Sequence, residues 1–276
     1  MIDIKNKFNF LFQKIKNSNY LNEAKELNLG FLFSLFFTIF TSAIIVRYIS
    51  VYDYGRYVLL AAVARYFTVL TLPGMNIVIR KSILKDKNKI YFLILKKIFS
   101  IVIIGSSILI TIIYLFNFLN INNITFLNKV DWWIISMGII ILIPESLIRY
   151  EIYFNSKRMY SKAKYLKTSF SAMNFIFLSF SVILFQSLSI LIYTKLIVSV
   201  VISFISNYYV FLDQKQFDNI NSKEISKDFI QEGYKYNKLE IVGLISRLDR
   251  LIIGTIDPSL LALYHVASRF PELIKD

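Results

Sequence analysis

Eight apolar runs of about twenty residues, separated by short loops rich in lysine, leave this chain few folds to choose from. At 1.5 Å per residue such a run crosses the roughly 30 Å of hydrocarbon in a bilayer as one helix. Backbone groups in lipid must also be satisfied internally, which a helix does by itself. The runs lie at residues 29–46, 57–79, 98–119, 132–153, 168–188, 190–212 and 239–256, and from 259 to the last residue. The seventh is weaker because it carries charges. Only 18% of the chain is charged, against roughly a quarter in a soluble domain, which needs polar groups to cover its surface. The expected class is an all-α polytopic membrane protein.

Loop charge orients the spans. The segment before span one, and the loops after spans two, four and six, hold 22 of the lysines and arginines; the alternate loops hold only Arg47, Arg56 and Lys129. Lysine-rich loops stay in the cytoplasm, so the N-terminus is expected there. The first run is too long for a signal-peptide core and follows a polar and amphipathic segment, so it is read as a span. Residues 4–20 fit a basic amphipathic helix on the membrane surface, or equally an ordinary polar tail. The longest loop, about 213–238, is too short for a soluble domain.

The net charge of +14 could suggest nucleic acid, but these cations sit in loops between spans and not on one soluble face, so no nucleic-acid partner is expected. With no cysteine and one histidine, His265, the chain offers no disulfide, thiolate metal site or paired-histidine site. Its eight glycines are too far apart for a phosphate-cradling loop, and no nucleophile or metalloprotease motif appears. No cofactor and no enzyme activity are expected. His265 reads as a packing residue.

Charges inside the spans remain. An arginine at the bilayer centre costs ~2.5–3.5 kcal/mol, so it normally faces a cavity or a partner. Arg65 lies about 12 Å into span two at 1.5 Å per residue. Arg247 and Arg250 fall near the middle of span seven. Arg149 and Lys195 are close enough to span ends to snorkel to the interface. Along a helix, Arg65, Thr68 and Asn76 share one face of span two; Glu240, Gly243, Arg247, Arg250 and Gly254 form one stripe of span seven. Ser34, Thr38, Thr41 and Ser42 on span one read mainly as a close helix contact. Glu145 and Arg149, spaced i, i+4 beside Pro144, are expected to pair. Asp249, opposite the arginine stripe, should face another neighbour. Glu145 and Asp249 either carry a coupling ion or neutralise nearby arginines.

Several short stretches carry a family resemblance. Val46-Arg47-Tyr48-Ile49-Ser50 through Tyr54-Gly55-Arg56-Tyr57 resembles the first span-to-span turn of polysaccharide (O-antigen, Wzx-like) flippases. Leu72-Pro73-Gly74-Met75-Asn76, Arg247 through Gly254 and Ala262-Leu263-Tyr264-His265-Val266-Ala267 are similar to the same family, in the same span order. It belongs to the multidrug/oligosaccharidyl-lipid/polysaccharide (MATE-like) exporters.

The resemblance implies two six-helix bundles around a central cavity, so 1–27 would be a cytoplasmic segment, 28–212 the first bundle, 213–238 a cytoplasmic linker and 239–276 the start of the second. Relatives have twelve to fourteen spans, so a chain ending in the eighth is expected to be the N-terminal part of a longer protein. The implied function is flipping of an undecaprenyl-pyrophosphate-linked oligosaccharide across the bacterial cytoplasmic membrane, for lipopolysaccharide or another surface polysaccharide. Arg65, Arg247 and Arg250, with Arg149 and Lys195 second, would grip the pyrophosphate, since arginine forks hold phosphate oxygens bidentately. Expected partners are that lipid-linked oligosaccharide, membrane lipids and other polysaccharide assembly proteins. Alternatives are a drug exporter, which would favour acids and aromatics in its cavity, and a membrane-embedded polymerase or ligase, which would carry a large outer loop.

Overall fold

The computed structural model describes residues 19–71, 74–84, 90–118, 132–214 and 248–275. Among these, all regular structure is helical: α1 (Asn19–Tyr48), α2 (Val51–Thr71), α3 (Met75–Leu84), α4 (Ile90–Phe118), α5 (Trp132–Ser146), α6 (Tyr150–Ser156), α7 (Tyr160–Phe185), α8 (Leu188–Gln214), α9 (Leu248–Ile256) and α10 (Pro258–Lys275). The surface segment at 4–20 (save its last two residues), the loop around 120–131, most of the 213–238 linker, and Glu240, Gly243 and Arg247 lie outside the described residues.

Among the described residues, five stretches are long and apolar enough to cross a membrane: Asn28–Tyr48, Ile94–Ile112, Trp132–Ser156, Tyr160–Phe185 and Leu188–Gln214. The chain is an all-α polytopic membrane protein. The other three expected spans differ in kind. α2 is 21 residues long but carries Asp53, Arg56 and Arg65. Only nine residues of span seven are described, as α9. α10 carries His265, Arg269, Glu272 and Lys275 along its 18 residues.

Spans two and four are interrupted, where the sequence pattern reads as one helix each. α2 stops at Thr71 and α3 restarts at Met75 after Gly74, whose φ of 65° is a left-handed conformation that suits glycine. The shared face of Arg65, Thr68 and Asn76 is therefore not continuous. Span four divides into α5 and α6. Pro144 in the last turn of α5 has no N–H to donate, and the ladder tightens to Leu147 N–Pro144 O (3.1 Å) and Ile148 N–Glu145 O (3.2 Å). At Arg149 (φ −124°, ψ 13°) the backbone has left the helix.

Packing is closest where side chains are small. α1 lies along α7; a Cβ added at Gly30 would meet Lys164 Cγ at 2.8 Å, and Ser34 Oγ and Ser171 Oγ are 2.8 Å apart. Ser34 therefore makes the cross-helix bond, whereas the hydroxyls of Thr38, which is exposed, Thr41 and Ser42 donate back to carbonyls of their own helix. α2 is the hub, touching α5, α9 and α10. On α5, a Cβ at Gly138 would sit 3.0 Å from the Leu60 carbonyl oxygen. At Gly55 it would overlap that of Pro258, the first residue of α10. Only glycine allows that approach.

The buried apolar residues form two layers. One, where α1 gives way to α2, joins Ile45, Leu59, Ile134, Leu191 and Leu261. The other, at the opposite end, joins Ile79, Tyr91, Ile98, Tyr153, Phe154 and Val210. That second end is fastened by Asp213, whose carboxylate takes Lys157 and Lys162 at 2.9 Å each and the Tyr153 hydroxyl at 3.0 Å.

Candidate functional site

A set of charged and amide side chains gathers at the interruption of span four. Glu145 is one residue before the end of α5, and Lys195 lies two turns into α8. Lys195 Nζ is 2.9 Å from Glu145 Oε1, and Ser199, one turn further along α8, donates to the same oxygen at 3.4 Å. This corrects two expectations. Lys195 does not snorkel: attraction of about 4 kcal/mol for charges 4 Å apart at an effective dielectric of 20 is comparable with the ~2.5–3.5 kcal/mol cost of a lone cation in the membrane. Nor does Glu145 pair with Arg149. The i, i+4 geometry needs a continuous helix, and the helix ends between them.

Arg149 turns to the other interrupted span. Its Nη1 donates to Asn76 Oδ1 at 3.0 Å, on the first turn of α3, and its Nε donates to the Ser146 carbonyl at 3.0 Å. The Leu147 carbonyl, also released by the break, accepts from Asn207 Nδ2 of α8 at 3.3 Å. Breaks at membrane depth are tolerated when side chains re-satisfy the freed backbone in this way.

Asp249 faces α10, as its position opposite the arginine stripe implies, and accepts from the Tyr264 hydroxyl; its other oxygen accepts from the Arg250 backbone N–H at 2.9 Å. Arg250 is half-buried on α9. It stands one turn before Gly254, where an added Cβ would meet Leu261 Cδ2 at 2.6 Å and Leu59 Cδ1 at 2.9 Å, so this side of α9 packs toward α2 and α10. Arg65 lies on α2; nothing further of its side chain is described, and Arg247 is outside the described residues. The described site thus joins Glu145 with Lys195, and Arg149 with Asn76, while Asp249 and Arg250 belong to the α9–α10 corner. His265 packs against α2, with its ring edge-on to Tyr54 and its Nδ1 2.9 Å from the Tyr54 hydroxyl.

Ser199, Asn207 and the Asp213 cluster were not singled out from the sequence. A signal existed. Lys195, Ser199, Ser203 and Asn207 recur every four residues, which puts them on one face of α8.

A model of one protein family, described as polysaccharide biosynthesis protein, matches residues 27–274. The chain belongs to the polysaccharide biosynthesis protein family. Neither the curated proteins nor the solved structures include a match. In a polysaccharide biosynthesis protein built of membrane-crossing helices, charges retained between the helices mark the candidate functional site. Two of this family member's described charge contacts, Glu145–Lys195 and Arg149–Asn76, lie at its helix interruptions.

Proposed function

We propose that this chain takes part in flipping a lipid-linked oligosaccharide, carried on undecaprenyl pyrophosphate, across the bacterial cytoplasmic membrane, and that it does so as a transporter and not as an enzyme. The observation that carries this reading is the retention of Lys195 and Arg149 among transmembrane helices, each held by a side chain from another span. A pyrophosphate-linked cargo is anionic, and lysine and arginine side chains are the groups that recognise phosphate oxygens. Arg65, Arg247 and Arg250 complete the proposed cationic path, and Arg250 stands on the side of α9 that packs toward α2. Glu145 is the coupling candidate, because losing its charge would release Lys195; Asp249 is the second.

In this reading residues 28–212 form one bundle, 213–238 a cytoplasmic linker and 239–276 the start of another, with the N-terminus cytoplasmic. The likeness of α2 and α10 supports a repeat. Val51 and Pro258 open the two helices, and Gly55-x-Tyr57 and Ala262-x-Tyr264 follow at the same distance. Ser50 and Asp257 each accept a hydrogen bond from a backbone N–H in the first turn, at 3.1 and 2.8 Å. Parallel repeats rocking about an axis along the membrane normal provide alternating access.

Complementation tests the reading. In bacteria that need this protein for surface polysaccharide, Arg65→Ala, Arg250→Ala and Lys195→Ala are expected to lower export while the protein remains in the membrane. Normal export by all three would overturn the cationic path.

A further inference from the structure

The two interrupted spans are fastened to each other and to α8 by two asparagines, Asn76 and Asn207. Asn207 stands on the buried face of α8, in the stripe that also bears Lys195 and Ser199. Its Nδ2 donates to the Leu147 carbonyl at 3.3 Å and to the Ser203 carbonyl at 2.8 Å, while its Oδ1 is buried without a partner among the described residues. A buried acceptor left unpaired is unfavourable. It persists here beside two donor contacts, one of which satisfies a carbonyl that the end of α5 sets free. Asn76, just past the left-handed Gly74, offers its Oδ1 to the Arg149 guanidinium at 3.0 Å. Arg149 is thus gripped from both sides of the gap: by Asn76 from span two, and through Ser146 and Leu147 by the span-four backbone that Asn207 holds.

We propose that Asn76 and Asn207 are positioning residues that hold the span-four break closed and aim Arg149. This rests on the reading of Arg149 as a cargo-binding cation. Asn76 acts on the guanidinium directly. Asn207 acts through the backbone of residues 147–149, since without its amide the Leu147 carbonyl has no described donor. Ser199, Lys195 and Asn207, successive on one helix, tie α8 to span four on both sides of the break.

The chain contains no cysteine, so a single thiol reports cleanly. Ile148→Cys, inside the break, is reacted with N-ethylmaleimide in native membranes. Asn207→Leu and Asn76→Ala are each expected to speed its labelling roughly five-fold, the population change that one lost hydrogen bond brings. Asn76→Asp, which keeps an acceptor for the guanidinium, should label as slowly as the parent. A Ser181→Cys reporter, buried near the far end of α7, should keep its rate; if Asn207→Leu raises that too, the variant has unfolded and the Asn76 pair decides. Unchanged labelling at Ile148→Cys in Asn76→Ala would overturn the proposal.

A second arm measures surface polysaccharide for Asn76→Ala, Arg149→Ala and the double variant. Positioning through Arg149 requires the Asn76 loss to vanish when Arg149 is absent. Independent, multiplying losses would overturn it. Should the labelling change as expected while Arg149→Ala exports normally, the clamp stands and the cargo-binding role of Arg149 falls.

Discussion

Glu145 on α5 and Lys195 on α8 share an ion pair of 2.9 Å within the membrane-spanning part of the molecule, and Ser199 donates to the same carboxylate oxygen. The pair crosses between spans four and six, one residue before α5 ends. It therefore neutralises two charges that lipid would otherwise expel, and it anchors the broken span.

Removing one member should hurt more than removing both. Glu145→Gln or Lys195→Met leaves a charge without its counterion, a loss on the order of 3–5 kcal/mol for a buried pair and smaller where water reaches it. The double variant Glu145→Gln/Lys195→Met should recover much of that loss. Thermal unfolding in detergent micelles checks the order. Single variants as stable as the parent would mean that the pair contributes nothing.

Gly55 and Gly254 offer a comparison of backbone against side-chain obstruction. A methyl at Gly55 meets the backbone of Pro258, which cannot move aside without displacing α10. At Gly254 it meets the tips of Leu59 and Leu261, which can change rotamer. Gly55→Ala is expected to cost at least the ~1–3 kcal/mol of core overpacking, and Gly254→Ala less. Equal thermal shifts would contradict the close α2–α10 crossing.

Asp213 carries the fastening at the far end. Its side chain is only 8% exposed and takes Lys157, Lys162 and Tyr153 together. In Asp213→Asn both lysines lose their counterion, and the turn at 157–159, which holds Arg158 at φ 57°, should loosen. Trypsin added to inside-out vesicles should then cut at Lys157 or Arg158 faster than in the parent. The same cut in right-side-out vesicles would contradict the cytoplasmic placement of this turn.

The continuous spans were legible because their apolar runs are unbroken: spans one, three, five and six emerge as α1, α4, α7 and α8. Spans two and four were read as single helices because hydropathy stays high through a break. Pro73-Gly74 and Pro144 mark bends, yet whether a proline bends or divides a helix depends on which neighbours can satisfy the freed carbonyls. Here Asn207 and Arg149 do so, and Asn207 lies some sixty positions beyond Leu147. Residue spacing along one helix suggested Glu145–Arg149; the partner that Glu145 takes, Lys195, lies on another span. Local spacing carries no information about such a pairing. The arginine stripe of span seven was legible as a pattern, and only its Arg250–Gly254 part is described structurally.

Topology can be read with thiols as well. Asn122→Cys, in an arginine- and lysine-poor loop, should react with a membrane-impermeant maleimide added to whole cells, and Asn88→Cys, in a lysine-rich loop, only after lysis. The opposite pattern would invert the molecule and place the basic loops outside.

The most direct test follows the lipid-linked oligosaccharide itself. Cells depleted of this protein would be assayed for which leaflet of the cytoplasmic membrane holds the undecaprenyl-pyrophosphate glycan. A flippase role requires that it accumulate in the cytoplasmic leaflet, that the protein clear it, and that Lys195→Ala and Arg149→Ala clear it more slowly. Accumulation of unpolymerised glycan in the outer leaflet would contradict flipping and assign the protein to a later, polymerising or ligating step.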